Sequence, residues 1–425
     1  MAAKTIGKGR GPLPRDEVAG RPADLSQKCC ALEGFTRLLS FMPGNFAVVL
    51  HSEPDCANLV FHDSRVADPS RFFCTNLKEN DAIAGRGRGR LAAAVREAAA
   101  RRRPDMIFVI GGCVASLASD DVDEIARTVD LPRGIRVVAV DGGAFRMYGQ
   151  GAIVDWFAGE MIGAAPSSRR KKARSTNLVG FAPDGGETMR ILGRVGLAVS
   201  AWPRLDSPQE AWAGLPNAAL NVVSDVGLFS RLVEALETRH RVPSVEIAPP
   251  FGVEKAARLY SGIGGFFGLG AEMRAAFREE RLRAGRRVSA FRRRHPRRKL
   301  AYHVGGRKDF ELHTMVRGGL AFVSLFEELG FSVEVLFQGP VEEEHRRRIA
   351  ALLDHHGVDA PFDCLPDRIS LTRTLRCGGH SLVYCSDSLA EEAGAASVPI
   401  VPVGRLAPGF AGAEANVSLI EGLMR

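Results

Sequence analysis

The chain has 425 residues, of which 45% are apolar and 25% charged, with a formal net charge of +8. That length exceeds what one compact core accommodates, so two or three domains are expected. The composition is that of a soluble globular protein, and no apolar run reaches the roughly 18 residues of a membrane span.

Residues 1–25 are rich in Gly, Pro and charge and read as a loose amino-terminal arm without the apolar core of an export signal, which implies a cytoplasmic location. Strand-like apolar runs then alternate with helical stretches, the pattern of parallel α/β units. The first block, 26–165, has runs at 46–52, 71–76, 105–112 and 134–141 and an Ala/Arg-rich helix at about 89–102. The polar stretch 166–175 reads as a linker. A second block, 176–270, carries runs at 176–182, 189–201, 217–224 and 244–248. A basic connecting helix lies within 271–297 and stops at His295-Pro296. The third block, 298–425, opens on Leu300-Ala-Tyr-His-Val-Gly-Gly306. It continues with a helix at 309–329 closed by Gly330, a strand at 331–337, a helix at 341–356 ended by Gly357, and strands at 382–386 and 398–403. The run Glu334–Pro340 spells a protease site common in expression vectors, but it is internal and fits strand then turn, so it reads as native. The fold class is therefore α/β: three Rossmann-like domains, each a parallel sheet flanked by helices.

The basic runs, such as Arg101–Arg103, Arg169–Lys172 and Arg292–Arg294, lie at helix ends and linkers without interleaved aromatics. They read as solvated faces, not a nucleic-acid surface. Gly85-Arg-Gly-Arg-Gly-Arg90 and Ser261–Gly270 miss the dinucleotide fingerprint, and no P-loop is present.

The cysteines carry the most chemistry. There are eight, with no Cys-x-x-Cys pair, so reduced thiols or metal ligands are expected over disulfides. Cys30 opens a helix start, Cys56 follows the first strand, and Cys113 ends the strand after Asp105. Residues just past the carboxyl ends of parallel strands converge on one crevice. Three cysteines meeting there point to an iron–sulfur cluster, which thiolates hold. Cys74 ends the 71–76 strand at the same crevice and is a candidate fourth ligand. Cys29, Cys364, Cys377 and Cys385 read as packing residues, as does His303 as a core histidine. His51 is placed to orient the Cys56 segment, and His355-His356 to sit on a helix carboxyl end. No catalytic residue is assignable.

These segments together resemble nitrogenase component 1 and the nitrogenase-like reductases. Cys30 with Gly34 resembles the family's first ligand segment, and His51-Ser-Glu-Pro-Asp-Cys56 its His-Gly-Pro-x-Gly-Cys segment. Leu77–Gly85 resembles its Glu-x-Asp segment, and Pro104–Cys113 with Leu117-Ala-Ser-Asp-Asp121 its third ligand and following turn. The ligand spacings, 26 and 57 residues, are family-like. Glu53 and Asp55 depart from the family's segment, and Asp55 becomes a second candidate for the fourth ligand by analogy with members that use an aspartate. No cysteine lies between 113 and 364, and Val398–Phe410 lacks a histidine, so the chain is not expected to anchor the large catalytic cofactor.

The resemblance implies a β-type subunit carrying a [4Fe-4S] cluster, or a [8Fe-7S] cluster of the P-cluster kind shared with a partner. It implies a homologous α-type subunit in a heterotetramer and an ATP-dependent iron protein as electron donor, with no nucleic-acid or membrane partner. A methylthio-alkane reductase is the favoured member. A protochlorophyllide-type tetrapyrrole reductase subunit and a cofactor-assembly scaffold are the alternatives. Outside the family, a metabolite-binding α/β protein with incidental cysteines is the rival reading.

Overall fold

The computed structural model describes residues 32, 35, 36, 39, 45–58, 69–118, 120–141, 171–202, 214–224, 229–305, 322–338, 343–355, 357–385, 389–402 and 405–424. The expected arm at 1–25, Cys29 and Cys30 lie outside the described residues, as do the side chains of His355 and His356. The described residues fall into two compact units, one holding those up to 141 and the other those from 171 on. No described helix is long and apolar enough to cross a membrane.

The first unit is built on a parallel sheet of β1 (Phe46–His51), β2 (Phe72–Cys74), β3 (Met106–Gly111) and β4 (Arg136–Asp141), in the order β2-β1-β3-β4. Every residue of β1 and β3 is buried. That is why both read as unbroken apolar runs: a parallel sheet is covered on both faces. Helices α1 (Glu79–Ile83), α2 (Gly87–Arg102), α3 (Cys113–Leu117) and α4 (Val122–Thr128) connect the strands. On α2 the residues Leu91, Ala94, Val95 and Ala98 are buried, one face at helical spacing. The helix ends where Arg103 turns left-handed, with φ 45°.

The second unit holds two more parallel sheets. One is formed by β5 (Lys172–Val179), β6 (Ala198–Ala201), β7 (Ala218–Val223) and β8 (Ser244–Glu246), in the order β6-β5-β7-β8. Its helices are α5 (Glu187–Arg194) and α6 (Ser230–Thr238), followed by α7 (Val253–Phe266), α8 (Gly270–Ala276) and α9 (Arg278–Arg294). The other sheet takes β9 (Lys299–Gly305), β10 (Ser332–Gln338), β11 (Phe362–Leu365), β12 (Leu382–Cys385) and β13 (Ile400–Pro402), in the order β11-β10-β9-β12-β13. Its helices are α10 (Val323–Glu328), α11 (Glu343–His355), α12 (Arg368–Cys377), α13 (Ala390–Ala395) and α14 (Gly409–Leu423).

The two sheets share one hydrophobic core, with Leu220 and Val222 of β7 in the same cluster as Tyr302 and Val335 of the third sheet. The basic helix belongs to that core as well: Ala284, Val288 and Phe291 of α9 are buried in it. The expected linker is partly strand. Lys171 donates to the carbonyls of Pro216 and His240 at 2.6 Å each, and β5 starts one residue later. The apolar run 189–201 divides into α5 and β6 because Gly196 breaks it with φ 72°. The vector-like run is a true strand: Val335, Leu336 and Phe337 are buried in β10.

Two helix amino termini in this unit are closed by acidic side chains from distant elements. Glu328 accepts from the backbone N–H of Val253 at 2.9 Å and of Glu254 at 3.5 Å, at the start of α7. Glu187 accepts from those of Phe410 and Ala411, both at 2.8 Å, at the start of α14. Each end otherwise presents unpaired donors and the positive end of the helix dipole. Gly252 and Gly409, with φ 96° and 85°, let the backbone press against these carboxylates.

His303 on β9 is buried beside Gln338, and burial lowers its pKa from 6.5 to about 4. The core histidine expected there is present, although its Nε2 has no hydrogen-bond partner. Because the folded pKa lies below the unfolded one, the unfolded chain takes up the proton first. Stability is complete above pH 6.5 and falls as the pH drops toward 4, by up to about 3 kcal/mol for this group. Urea unfolding at pH 7 and pH 4.5 should show the loss, and His303→Gln should shrink it. An equal pH dependence in the variant would exclude His303 as its source.

Candidate functional site

The site lies at the carboxyl edge of the first sheet, where the strand order reverses between β1 and β3, the position at which parallel sheets generally form a binding crevice. His51 is level with Gly111 across that reversal, and Leu50 is level with Cys74 on the other side. Gly112 keeps the two chain exits close: a Cβ there would stand 3.0 Å from Ser52 Cβ. Its N–H donates to the carbonyl of His51 at 2.9 Å. Cys113 follows immediately as the first residue of α3. Cys56 lies in a helical turn at 54–58, five residues past the end of β1. Cys74 is the last residue of β2. All three are half-buried and in no disulfide.

The structure thus brings Cys56, Cys74 and Cys113 to the ends of three adjacent strands. Each thiol has its own surroundings. The Cys56 thiol donates to Glu53 Oε2 at 3.5 Å. The backbone N–H of Asn76 points at Cys74 Sγ at 3.4 Å, and Ser52 Oγ lies 3.8 Å from the same sulfur. Asp55, the other candidate fourth ligand, is exposed on the same turn as Cys56.

Behind the thiols, His51 is fully buried and joins two loops. Its Nε2 lies 3.1 Å from Asp120 Oδ2 and its Nδ1 3.1 Å from Thr75 Oγ1. Burial lowers its pKa despite the neighbouring carboxylate, so the ring is neutral at pH 7. With Asp120 accepting from Nε2–H, Nδ1 accepts from the threonine hydroxyl. The expected orienting role of His51 now has named partners. Thr75 adjoins Cys74, and Asp120 precedes Asp121, whose side chain caps α4 by accepting from Glu124 N–H at 2.9 Å. Sequence reasoning places Asp120 within a motif but gives it no role, and it misses Thr75. Nothing local marks either residue, because each acts on a histidine far away in the chain.

The Gly-Arg repeat has a structural use. Asp81 is buried and paired with Arg86 at 2.9 Å and Arg90 at 2.7 Å. Burial alone would raise its pKa, but the Arg86 hydrogen bond, the backbone N–H of Lys78 and the Arg90 charge hold it below the usual carboxylate range. Gly87 leaves the space that the Asp120 carboxylate fills. The repeat therefore braces the loop from Thr75 to Asp81.

Of the remaining cysteines, Cys364 and Cys385 are buried as expected, and burial raises the Cys364 pKa. Cys377 is exposed at the end of α12, which corrects its assignment to packing: the residues that face the core from that helix are Leu371 and Leu375.

Whether the donors fit an iron–sulfur cluster can be judged from their chemistry. Three half-exposed thiols, none in a disulfide, share one sheet edge, and thiolate is the usual cluster ligand. The Asn76 N–H already aimed at Cys74 Sγ would serve a thiolate equally well. Cys56 would give up its proton and its bond to Glu53 on ligation. Among the described residues no trio of His, Cys, Asp or Glu is grouped so as to hold a metal ion.

Comparison with known proteins places this geometry in context. The family described as nitrogenase component 1 type oxidoreductase matches residues 30–397. The nitrogenase iron-molybdenum cofactor biosynthesis protein NifE of Klebsiella pneumoniae is 25% identical over 305 residues, covering 67% of this chain and 64% of that protein. A light-independent protochlorophyllide reductase polypeptide of Methylobacterium sp. (strain 4-46) is 32% identical over 171 residues, covering 37% of this chain and 32% of that protein. The chain thus matches less than two thirds of the length of these curated relatives. Among solved structures, nitrogenase Cp1 at pH 5 has a TM-score of 0.69 at 15% identity, covering 100% of this chain and 93% of that one, a likeness of fold.

Proposed function

The chain belongs to the nitrogenase component 1 type oxidoreductases, and on that premise we propose that it is the iron–sulfur-carrying β-type subunit of a nitrogenase-like two-component reductase. The observation that carries the proposal is the placement of Cys56, Cys74 and Cys113, half-buried and in no disulfide, along one edge of the first sheet. Cys56 and Cys113, together with Cys30, would hold the cluster, with Cys74 or Asp55 as the fourth ligand. Such a cluster takes up and releases single electrons. The chain supplies rigid strand ends for the thiolates, and His51 ties the loops behind them through Thr75 and Asp120. Glu53 places a carboxylate beside Cys56, and such a charge tunes a cluster's potential.

The cluster is [4Fe-4S], or [8Fe-7S] shared with a homologous α-type subunit in a heterotetramer. A separate ATP-dependent iron protein donates the electrons, in the cytoplasm. Glu53 and Asp55 favour a substrate other than dinitrogen, with methylthio-alkanes as the leading class and tetrapyrroles of the protochlorophyllide type as the alternative. A second reading is a scaffold that holds a cluster for transfer, and the relatives named as cofactor biosynthesis proteins favour it.

Anaerobic co-expression with a neighbouring homologous subunit tests both. Iron and acid-labile sulfide would be quantified, and substrate turnover followed with an iron protein and ATP. Several irons per heterodimer with turnover supports the reductase. Iron that leaves for an acceptor protein without turnover supports the scaffold. A colourless, folded heterodimer without iron would overturn both.

A further inference from the structure

In the second unit, an open groove of about 1140 Å³ runs along one face of α9, walled by the start of α7 and the end of α8. We propose that this groove is a docking site for an acidic α-helix of a protein partner. Its charge is the first argument. The arginines of α9 divide into two groups. Arg283 pairs with Glu414, and Arg287 and Arg294 pair with Glu421, all on α14. Arg281 pairs with Glu254 at the groove wall. Arg278, Arg286 and Arg293, with Arg274 of α8, line the groove, are exposed, and have no ion-pair partner among the described residues. Four unpaired guanidinium groups around one groove leave its charge to be matched from outside the chain.

Its shape is the second argument. Arg278, Leu282, Gly285, Ser289 and Arg293 recur at three- and four-residue steps, a single stripe about 22 Å long. The middle of the stripe is small, with Gly285, Ser289 and Ala290, and small residues let a second helix approach closely. Leu282 is 52% exposed beside them and offers an apolar contact. Among the described residues the only aromatic one lining the groove, Phe277, is 2% exposed, so they offer no stacking platform for a single-stranded nucleic acid. A helix with carboxylates at its edges and small apolar residues at its centre matches both features.

The test uses the full chain and a fluorescein-labelled helical peptide with glutamate at every fourth position and an Ala/Leu face, read by fluorescence anisotropy at physiological salt. Saturable binding is expected. The triple variant Arg278→Glu, Arg286→Glu, Arg293→Glu should weaken it by about tenfold or more. A control with the same change in net charge, Arg96→Glu, Arg133→Glu, Arg373→Glu, alters exposed arginines elsewhere and should change the affinity by less than about twofold. The neutral series Arg278→Gln, Arg286→Gln, Arg293→Gln should give an intermediate loss, and it keeps the test valid if the charge reversal disturbs folding. Equal losses in groove and control variants, or no saturable binding, would overturn the proposal. So would a duplex oligonucleotide that displaces the peptide and binds more tightly, which would make the groove a nucleic-acid contact.

Discussion

Replacing Cys113 by alanine is expected to leave the chain folded and strip it of most of its iron. Cys113 is half-buried, is the first residue of α3, and is in no disulfide. Alanine is the better helix former at that position, and a change at a half-exposed site away from the core costs little stability, about 0.5 kcal/mol or less. An iron–sulfur cluster, by contrast, depends on its full set of thiolates. Cys56→Ala should behave in the same way and would also leave Glu53 without its thiol partner. Cys74→Ala separates two ligand sets. An equal loss of iron makes Cys74 a ligand, and retained iron moves the fourth position to Asp55 or to a partner. Cys364→Ala serves as the control, because that thiol is buried in the third sheet and should retain the wild-type iron content. Iron and sulfide after anaerobic purification, with the electron paramagnetic resonance spectrum, give the answer. Iron content unchanged in both Cys56→Ala and Cys113→Ala would remove the cluster from this edge.

Glu187→Ala should destabilise the second unit strongly. The Glu187 carboxylate is 4% exposed. It accepts from Phe410 N–H and Ala411 N–H at 2.8 Å each and from the Tyr260 hydroxyl at 3.1 Å. Truncation would leave the buried Phe410 N–H and the part-buried Ala411 N–H without their acceptor, uncapping α14, while the Tyr260 hydroxyl keeps Thr188 Oγ1 at 3.2 Å. The surrounding aromatic packing leaves little room for water: Phe410 sits 5.7 Å from both Tyr260 and Phe277, centroid to centroid. A loss of about 3 kcal/mol is expected from the two unpaired N–H groups. Glu187→Gln, which keeps one acceptor oxygen, should recover part of it. Urea unfolding of the full chain measures both. A Glu187→Ala midpoint within error of wild type would mean that the carboxylate contributes nothing net.

Periodicity alone is enough for the strands that are buried on both faces. Phe46–His51, Met106–Gly111 and Lys299–Gly305 appear within a residue or two of their expected limits, because a parallel sheet demands unbroken apolar runs and Gly or Asp punctuates them. The left-handed turns at Gly330 and Gly357 are legible for a similar reason, since few other residues adopt that backbone freely. The edge strand β11 is not legible, because its four residues carry too weak a pattern beside the helices that flank it. The break inside 189–201 escapes notice because apolar residues continue through it on either side of Gly196.

The candidate ligands are legible as residue types at strand ends. Their supports are not, since His51 meets Asp120 across 69 residues, and Glu187 meets Phe410 across 223. The sequence by itself determined where the chain runs straight, where it turns, and which thiols stand at the ends of the first sheet. Only the tertiary structure decided which polar groups are buried together and which arginines remain unpaired. Burial and pairing depend on distances between remote segments, and local pattern carries no record of those distances.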